Sequence, residues 1–282
     1  MNPTVLNHKK LEYKGKTIFS KMEVSEYKRF EKYFQENEAC FMFVDDGSIA
    51  LRTPDKTLYL NSGDGLLAKC GNYFFENTKR NSSEEKVSLI TAYFYPEVII
   101  QLFDEDIFSS NYQSNYNATK VIVDKLLANF KENISFLLDN PEAVDETLLL
   151  TKLKEFLILL SKQDNAPNVI DFVSSFFKPY KYDFKTIIEK NILSSLSLDE
   201  FAKLCGMSLA TFKRKFSEYY DESPKKYIDS KKIEKAIQLL SNPQNRVSNI
   251  AYDCGFDTIK SFNRNFKSKT GKSPSEYRKN NL

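Results

Sequence analysis

The sequence predicts an α+β chain in two parts. A strand-rich front half ends in a pair of helices, and an all-α back half repeats one helical module. Three observations carry this. Short apolar segments bounded by Gly, Asp and Asn fill residues 17–95. A Cys-Gly motif recurs 49 residues apart in the back half. Charge divides the same way: residues 1–170 hold 20 Lys+Arg against 25 Asp+Glu (net −5), and residues 171–282 hold 21 against 13 (net +8), giving the +3 of the whole chain. An acidic front and a basic back suggest that the back half meets a polyanion.

A chain of 282 residues with 41% hydrophobic and 14% aromatic content suits two domains with real cores. The N-terminus, MNPTVLNHKKLEYKGK, has no apolar signal region, and no run of 18 apolar residues occurs. A soluble, cytoplasmic protein without a membrane span is expected. Cys40, Cys70, Cys205 and Cys254 show no C-x-x-C spacing, and His8 is the single histidine. No metal or other cofactor is therefore expected, and the thiols read as free in a reducing compartment.

In the front half, FMFVDDGSIALRT alternates around Asp46-Gly47 and reads as a hairpin. TLYLNSGDGLLAKC adds a second glycine-rich turn, and VSLITAYFY a buried or edge strand, which together suggest a small sandwich or barrel. Segments 117–138 and 142–161 read as helices. The second aligns Leu149, Leu153, Phe156, Leu157 and Leu160 on one side. Of these, Leu149, Phe156 and Leu160 are candidates for a dimer seam, in competition with packing inside the domain. Tyr59, Tyr73, Phe74, Phe75, Tyr93, Phe94 and Tyr95 could line a ligand pocket, although core or interface packing is the more ordinary role of such a set. Cys40 and Cys70 lack a histidine base, so no enzyme is expected. SKQDNAPN is a polar break. It divides the chain into a regulatory or dimerisation domain (1–165), a linker (166–180) and a basic domain (181–282).

The back half carries the sharper signal. FAKLCGMSLATFKRKF (201–216) is echoed by AYDCGFDTIKSFNRNF (251–266). Leu209, Phe212, Arg214 and Phe216 recur 50 residues on as Ile259, Phe262, Arg264 and Phe266, and Ser223-Pro224 with Tyr227 as Ser273-Pro274 with Tyr277. Each copy reads as helix, tight turn, helix. Ser197 and Glu200 form a capping box, Gly206 turns, and Ser208 caps the next helix. In the second copy Ser248 or Asn249 opens, Gly255 turns and Asp257 caps. Between them Ser223 caps a helix of about 17 residues, ended by Asn242-Pro243 and roughly 25 Å long. Two such modules in register, both basic outside, form a double helix-turn-helix, in which each second helix enters a DNA major groove.

These residues resemble the DNA-binding domain of the AraC/XylS family of bacterial transcription regulators over roughly residues 183–279. IAYDCGFDTIKSFNRNFKSKTGKSPSEYR is the most specific part. Asp221, where a glycine is usual, and Lys232, where arginine is frequent, depart from the pattern. The resemblance implies a cupin-like barrel with a helix pair in front, most similar to the ExsA-type branch, whose front domain answers to a protein partner. His8, outside the expected strands, cannot furnish a cupin metal site. It also implies double-stranded DNA as ligand, a homodimer through the front domain, a protein or small-molecule regulator, and RNA polymerase as partner if the protein activates. Phe212, Phe216, Phe262 and Phe266 would form the cores. Ala210, Lys213, Arg214, Lys260, Asn263 and Arg264 would face bases, and Ser217 and Lys267 phosphate. Ile259 is ambiguous, because the family reads DNA near there while periodicity turns it inward. Cys205 and Cys254 end equivalent helices as packing residues. A sensor with its ligand in the barrel and a nonspecific architectural DNA binder are the alternatives.

Overall fold

The front unit is organised by strands that are apolar on both faces. In the computed structural model, which describes residues 4–25, 29–31, 38–69, 71–77, 86–103, 110–113, 115–163, 169–178 and 182–281, the strands are β1 (Thr4–Tyr13), β2 (Lys16–Ser25), β3 (Arg29–Glu31), β4 (Ala39–Asp46), β5 (Ser48–Arg52), β6 (Thr57–Asn61), β7 (Asp64–Ala68), β8 (Phe74–Glu76) and β9 (Val87–Phe94). Then follow α1 (Pro96–Phe103), β10 (Ala118–Ile122), α2 (Lys125–Asp139), α3 (Glu146–Ser161) and α4 (Val169–Ser174). The strands form two antiparallel sheets, β1-β2-β9-β4-β7-β10 and β3-β8-β5-β6. Cys40, Met42 and Val44 of β4 join Ile49, Leu51 and Leu60 between the sheets. Phe41 and Phe43 point the other way, against Phe156 at 5.3 and 5.7 Å. A strand covered on both sides needs an unbroken apolar run.

Several expectations for this half are corrected. Asp46-Gly47 is not a hairpin: β4 pairs with β7 and β9, and β5 with β6 and β8. The turn instead carries the chain from one sheet to the other. Gly47 sits at φ +85°, and a Cβ there would stand 2.6 Å from the Lys86 carbonyl oxygen. Of the two readings of VSLITAYFY, the buried one holds: β9 is internal, between β2 and β4. His8 lies within β1 rather than outside the strands. Residues 118–122 form β10, because ATKVI is rich in β-branched residues. The helix begins only at Lys125, where Asp124 accepts from the Leu127 amide at 2.9 Å.

The proposed dimer seam fails on burial. Leu149, Phe156 and Leu160 are 3%, 0% and 1% exposed and belong to the core between the six-stranded sheet and the helices. The expected linker is also partly core. Phe172, Val173 and Phe176 are buried there, with Phe176 stacked on Phe94 at 5.0 Å. Of the aromatic set, Tyr73, Phe74, Phe75, Phe94 and Tyr95 are packed, whereas Tyr59 is exposed. A cavity of about 280 Å³ opens elsewhere on the unit, lined by Leu67, Tyr116, Lys120, Val121, Leu160 and Phe172. Cys70 lies outside the described residues.

Contacts divide the chain into two units, Met1–Thr53 with Thr57–Lys181 and Pro54–Lys56 with Tyr182–Leu282. The second is helical: α5 (Phe184–Asn191), α6 (Leu198–Leu204), α7 (Leu209–Tyr220), α8 (Pro224–Leu240), α9 (Val247–Asp253), α10 (Ile259–Thr270) and α11 (Pro274–Asn281). Among the described residues, no helix of either unit is long and apolar enough to cross a membrane.

The front core gives a direct test. Phe156 is fully buried and touches Phe41, Phe43, Phe94 and Phe130. Phe156→Ala should cost about 3–5 kcal/mol of stability in denaturant unfolding. A loss below about 1 kcal/mol would place the core elsewhere.

Candidate nucleic-acid interface

Each module begins with local capping. Ser197 and Glu200 make the reciprocal capping box of α6, with Glu200 accepting from the Ser197 amide at 2.7 Å. Gly206 then turns the chain at φ +65°. Ser208 accepts from the Thr211 amide at 3.2 Å to open α7. The second copy differs from expectation. Arg246, not Ser248 or Asn249, stands at the N-cap of α9 and makes no side-chain cap. Thr258, not Asp257, caps α10, accepting from the Ser261 amide at 3.1 Å. Asx and Thr caps are near-equivalent in chemistry, so sequence alone left the start open by one residue. Ser223 precedes α8 but forms no side-chain cap, and Pro224 occupies its first turn.

The recognition helices are anchored by phenylalanines one turn apart. Phe212, Phe216, Phe262 and Phe266 are all fully buried. Phe216 meets Tyr227 of α8 at 5.6 Å, and Phe266 meets Tyr277 of α11 at 5.5 Å. The second core adds Ile233, Ala236 and Leu240 of α8 with Ile250, Ala251, Cys254 and Phe256. Cys254 is fully buried and Cys205 half-buried; burial pushes their thiols up to about 11 and about 12. Neither is ionised near neutrality, as packing residues require. Ile259 does not join this core. It is 38% exposed at the first turn of α10.

The opposite faces are basic and open. Ala210, Lys213, Arg214 and Ser217 on α7, and Lys260, Asn263, Arg264 and Lys267 on α10, are all exposed. Elsewhere in this unit four lysines are tied to carboxylates: Lys185 to Glu189, Lys203 to Asp199, Lys226 to Glu222 and Lys231 to Glu234. Among the described residues, Lys213, Arg214, Lys260, Arg264 and Lys267 form no such pair. The sequence of α10, IKSFNRNFKSKT, contains no acid at all. These cations keep their donors available for a polyanion.

Two cations of this unit turn inward, which periodicity did not reveal. Lys232 of α8 is 6% exposed and donates to the Gly255 carbonyl oxygen at 2.9 Å. Arg278 of α11 donates to the carbonyl oxygens of Leu240 (3.2 Å) and Asn245 (2.7 Å). The family pattern named Lys232 as a substitution, but only the packed structure gives it a partner.

Comparison with known proteins agrees with this geometry. Residues 201–280 match the profile of a helix-turn-helix domain, and residues 39–172 that of the ExsA N-terminal regulatory domain. The chain belongs to the AraC/XylS family, in its ExsA branch. It is a DNA-binding transcription regulator. This regulator is similar to the HTH-type transcriptional regulator ExsA of Pseudomonas aeruginosa, with 25% identity over 252 residues and 88% of each chain covered. It is also similar to the virulence regulon transcriptional activator VirF of Yersinia enterocolitica, with 24% identity, covering 82% of this chain and 86% of that one. Those relatives are regulators and not enzymes. Among solved structures, fatty-acid-bound ToxT from Vibrio cholerae aligns over 99% of this chain and 96% of its own at 16% identity, with a TM-score of 0.39.

One residue of the first module is strained. Asp221 ends α7 in the left-handed region (φ 57°), where the second copy has Gly271 (φ 77°). Asp221→Gly should raise the stability of the regulator by about 0.5–1 kcal/mol, read as a higher urea midpoint. An unchanged or lower midpoint would mean that the aspartate side chain offsets its backbone cost.

Proposed function

We propose that this regulator binds its operator by laying α7 and α10 in successive major grooves on one face of the duplex. The carrying observation is that, among the described residues, Lys213, Arg214, Lys260, Arg264 and Lys267 stand exposed on these two helices without a carboxylate ion pair, and α10 itself carries no acid. Lys213, Arg214, Lys260 and Arg264 offer donors to guanine O6 and N7, Asn263 suits adenine, and Ala210 suits a thymine methyl. Ser217 and Lys267 hold phosphate. The helix between the modules, with 17 residues, spans roughly 25 Å, which suits recognition helices about 34 Å apart once their own widths are added. The domain division 1–165, 166–180 and 181–282 is retained as a functional one, with α4 packed on the regulatory side.

Arg264→Ala should cost about 1–3 kcal/mol on the preferred site and relax preference at one base pair. Lys267→Ala should weaken all sequences alike and lower the salt slope by about one unit. The check is titration of each variant against the site and a scrambled duplex at several salt concentrations. Equal weakening of both duplexes by Arg264→Ala would make that arginine a phosphate clamp.

The front unit is proposed to form a homodimer, to receive a protein or small-molecule signal, and, where the protein activates, to leave RNA polymerase within reach of the bound regulator in the cytoplasm. The dimer surface proposed is the outer face of α2. Leu126, Asn129, Asn133 and Phe136 are exposed there, Leu126 at 59% and Phe136 at 65%. Their spacing of three, four and three residues forms a coiled-coil seam without charge. The stripe is symmetric: in an antiparallel pair Leu126 of one copy meets Phe136 of the other, and Asn129 meets Asn133. Leu126→Glu with Phe136→Glu should convert dimer to monomer in sedimentation. An unchanged dimer mass with the fold intact would send the interface elsewhere, and a monomeric wild type would remove the homodimer.

A further inference from the structure

The turn of the second module rests on the loop that leads into the first. Gly255 turns α9 into α10 at φ +75° and is buried. A Cβ on it would lie 2.3 Å from the Leu193 carbonyl oxygen and 2.5 Å from that of Ser194. Its backbone therefore rests directly on the loop between α5 and α6, which leads into the first module. Its own carbonyl oxygen, on the other side of the peptide, accepts the Lys232 ammonium at 2.9 Å. Three segments converge on this glycine: the strut α8, the turn of the second module and the leading loop of the first.

Lys232 is costly to keep there. Burial lowers its pKa, opposed by Asp229 on α8 and Asp257 in the α9–α10 turn, and its ammonium lies 5.6 Å from the Phe256 ring centroid. A methionine would fill the same volume without desolvating a charge. What a methionine cannot supply is the charge-assisted bond to the Gly255 carbonyl. The first module has no counterpart. Gly206 is exposed, and the residue 50 places before Lys232 is the half-buried Tyr182. The bond is therefore specific to the junction, and α10 starts only four residues beyond it.

We infer that Lys232 is a positioning residue that sets the separation of the two recognition helices and so the regulator's preference for one spacing between its two groove contacts. This rests on the two-groove reading above. One inserted base pair rotates the second contact by roughly 34° and moves it about 3.4 Å. A second module pinned at its turn to α8 and to the first module cannot follow that change, whereas one that has lost the Lys232 tie, and keeps only apolar packing and the Arg278 bonds at the far end of α8, can re-seat.

The test uses the full chain and a duplex enriched by the wild type from a random pool, with a second duplex carrying one extra base pair between the two protected segments. Wild type and Lys232→Arg, which keeps a donor, should bind the lengthened duplex about tenfold or more weakly. Lys232→Met should lose less than about threefold between the two duplexes, with its binding to scrambled DNA and its salt slope unchanged. Should Lys232→Met fail to fold by circular dichroism, Lys232→Gln, whose amide falls short of Gly255, enters the same comparison with the same expectation. A neutral variant as spacing-strict as wild type, or one that weakens on both duplexes by an equal factor, overturns the assignment. Wild type indifferent to the insertion would overturn the two-groove reading itself.

Discussion

Two recognition helices act on one duplex only when something stiff holds them near the pitch of DNA. Here the element between them is α8, and the rest of the basic unit is packed around it. Ile228 near its start is buried, and Tyr227 beside it meets Phe216 and Tyr220 of the first module. Ile233, Ala236 and Leu240 toward its end enter the core of the second, with Phe262 and Phe266. Each basic face is thus the outer side of a helix whose inner side is fixed by two aromatic rings. Exposed charge without self-pairing is affordable only because those rings, and not the cations, hold the helix in place.

The back half was legible in the sequence to a degree the front half was not, for physical reasons. Caps, turns and helical periodicity are local, and α7 and α8 begin where Ser208, Ser223 and Pro224 place them. The misjudged start of α10 shifts by one residue, because Asp257 and Thr258 are both competent caps. Ile259 has the spacing of a core residue but lies in the first turn of α10, 38% exposed. Lys232 shows the converse limit: a lysine reads as surface until the carbonyl it grips is placed beside it.

In the front half the decisive contacts are remote. Asp46-Gly47 has hairpin chemistry, yet β5 pairs with β6 and β8, and no local rule distinguishes a hairpin from a corner between sheets. The apolar stripe of α3 was visible, but its partner was not. Phe156 finds Phe41, Phe43 and Phe94 from the sheet, more than 60 residues earlier in the chain, and so cannot serve another subunit. The face left to α2 is the one whose apolar members sit among asparagines, a pattern that amphipathicity alone ranks as ordinary surface.

The central claim is that one copy grips two successive turns of DNA from one side. Hydroxyl-radical footprinting of the full chain on an enriched duplex tests it most directly. Each bound copy should protect two short segments centred about 10 base pairs apart on the same face of the helix. Protection confined to a single turn, or two segments on opposite faces, would contradict it.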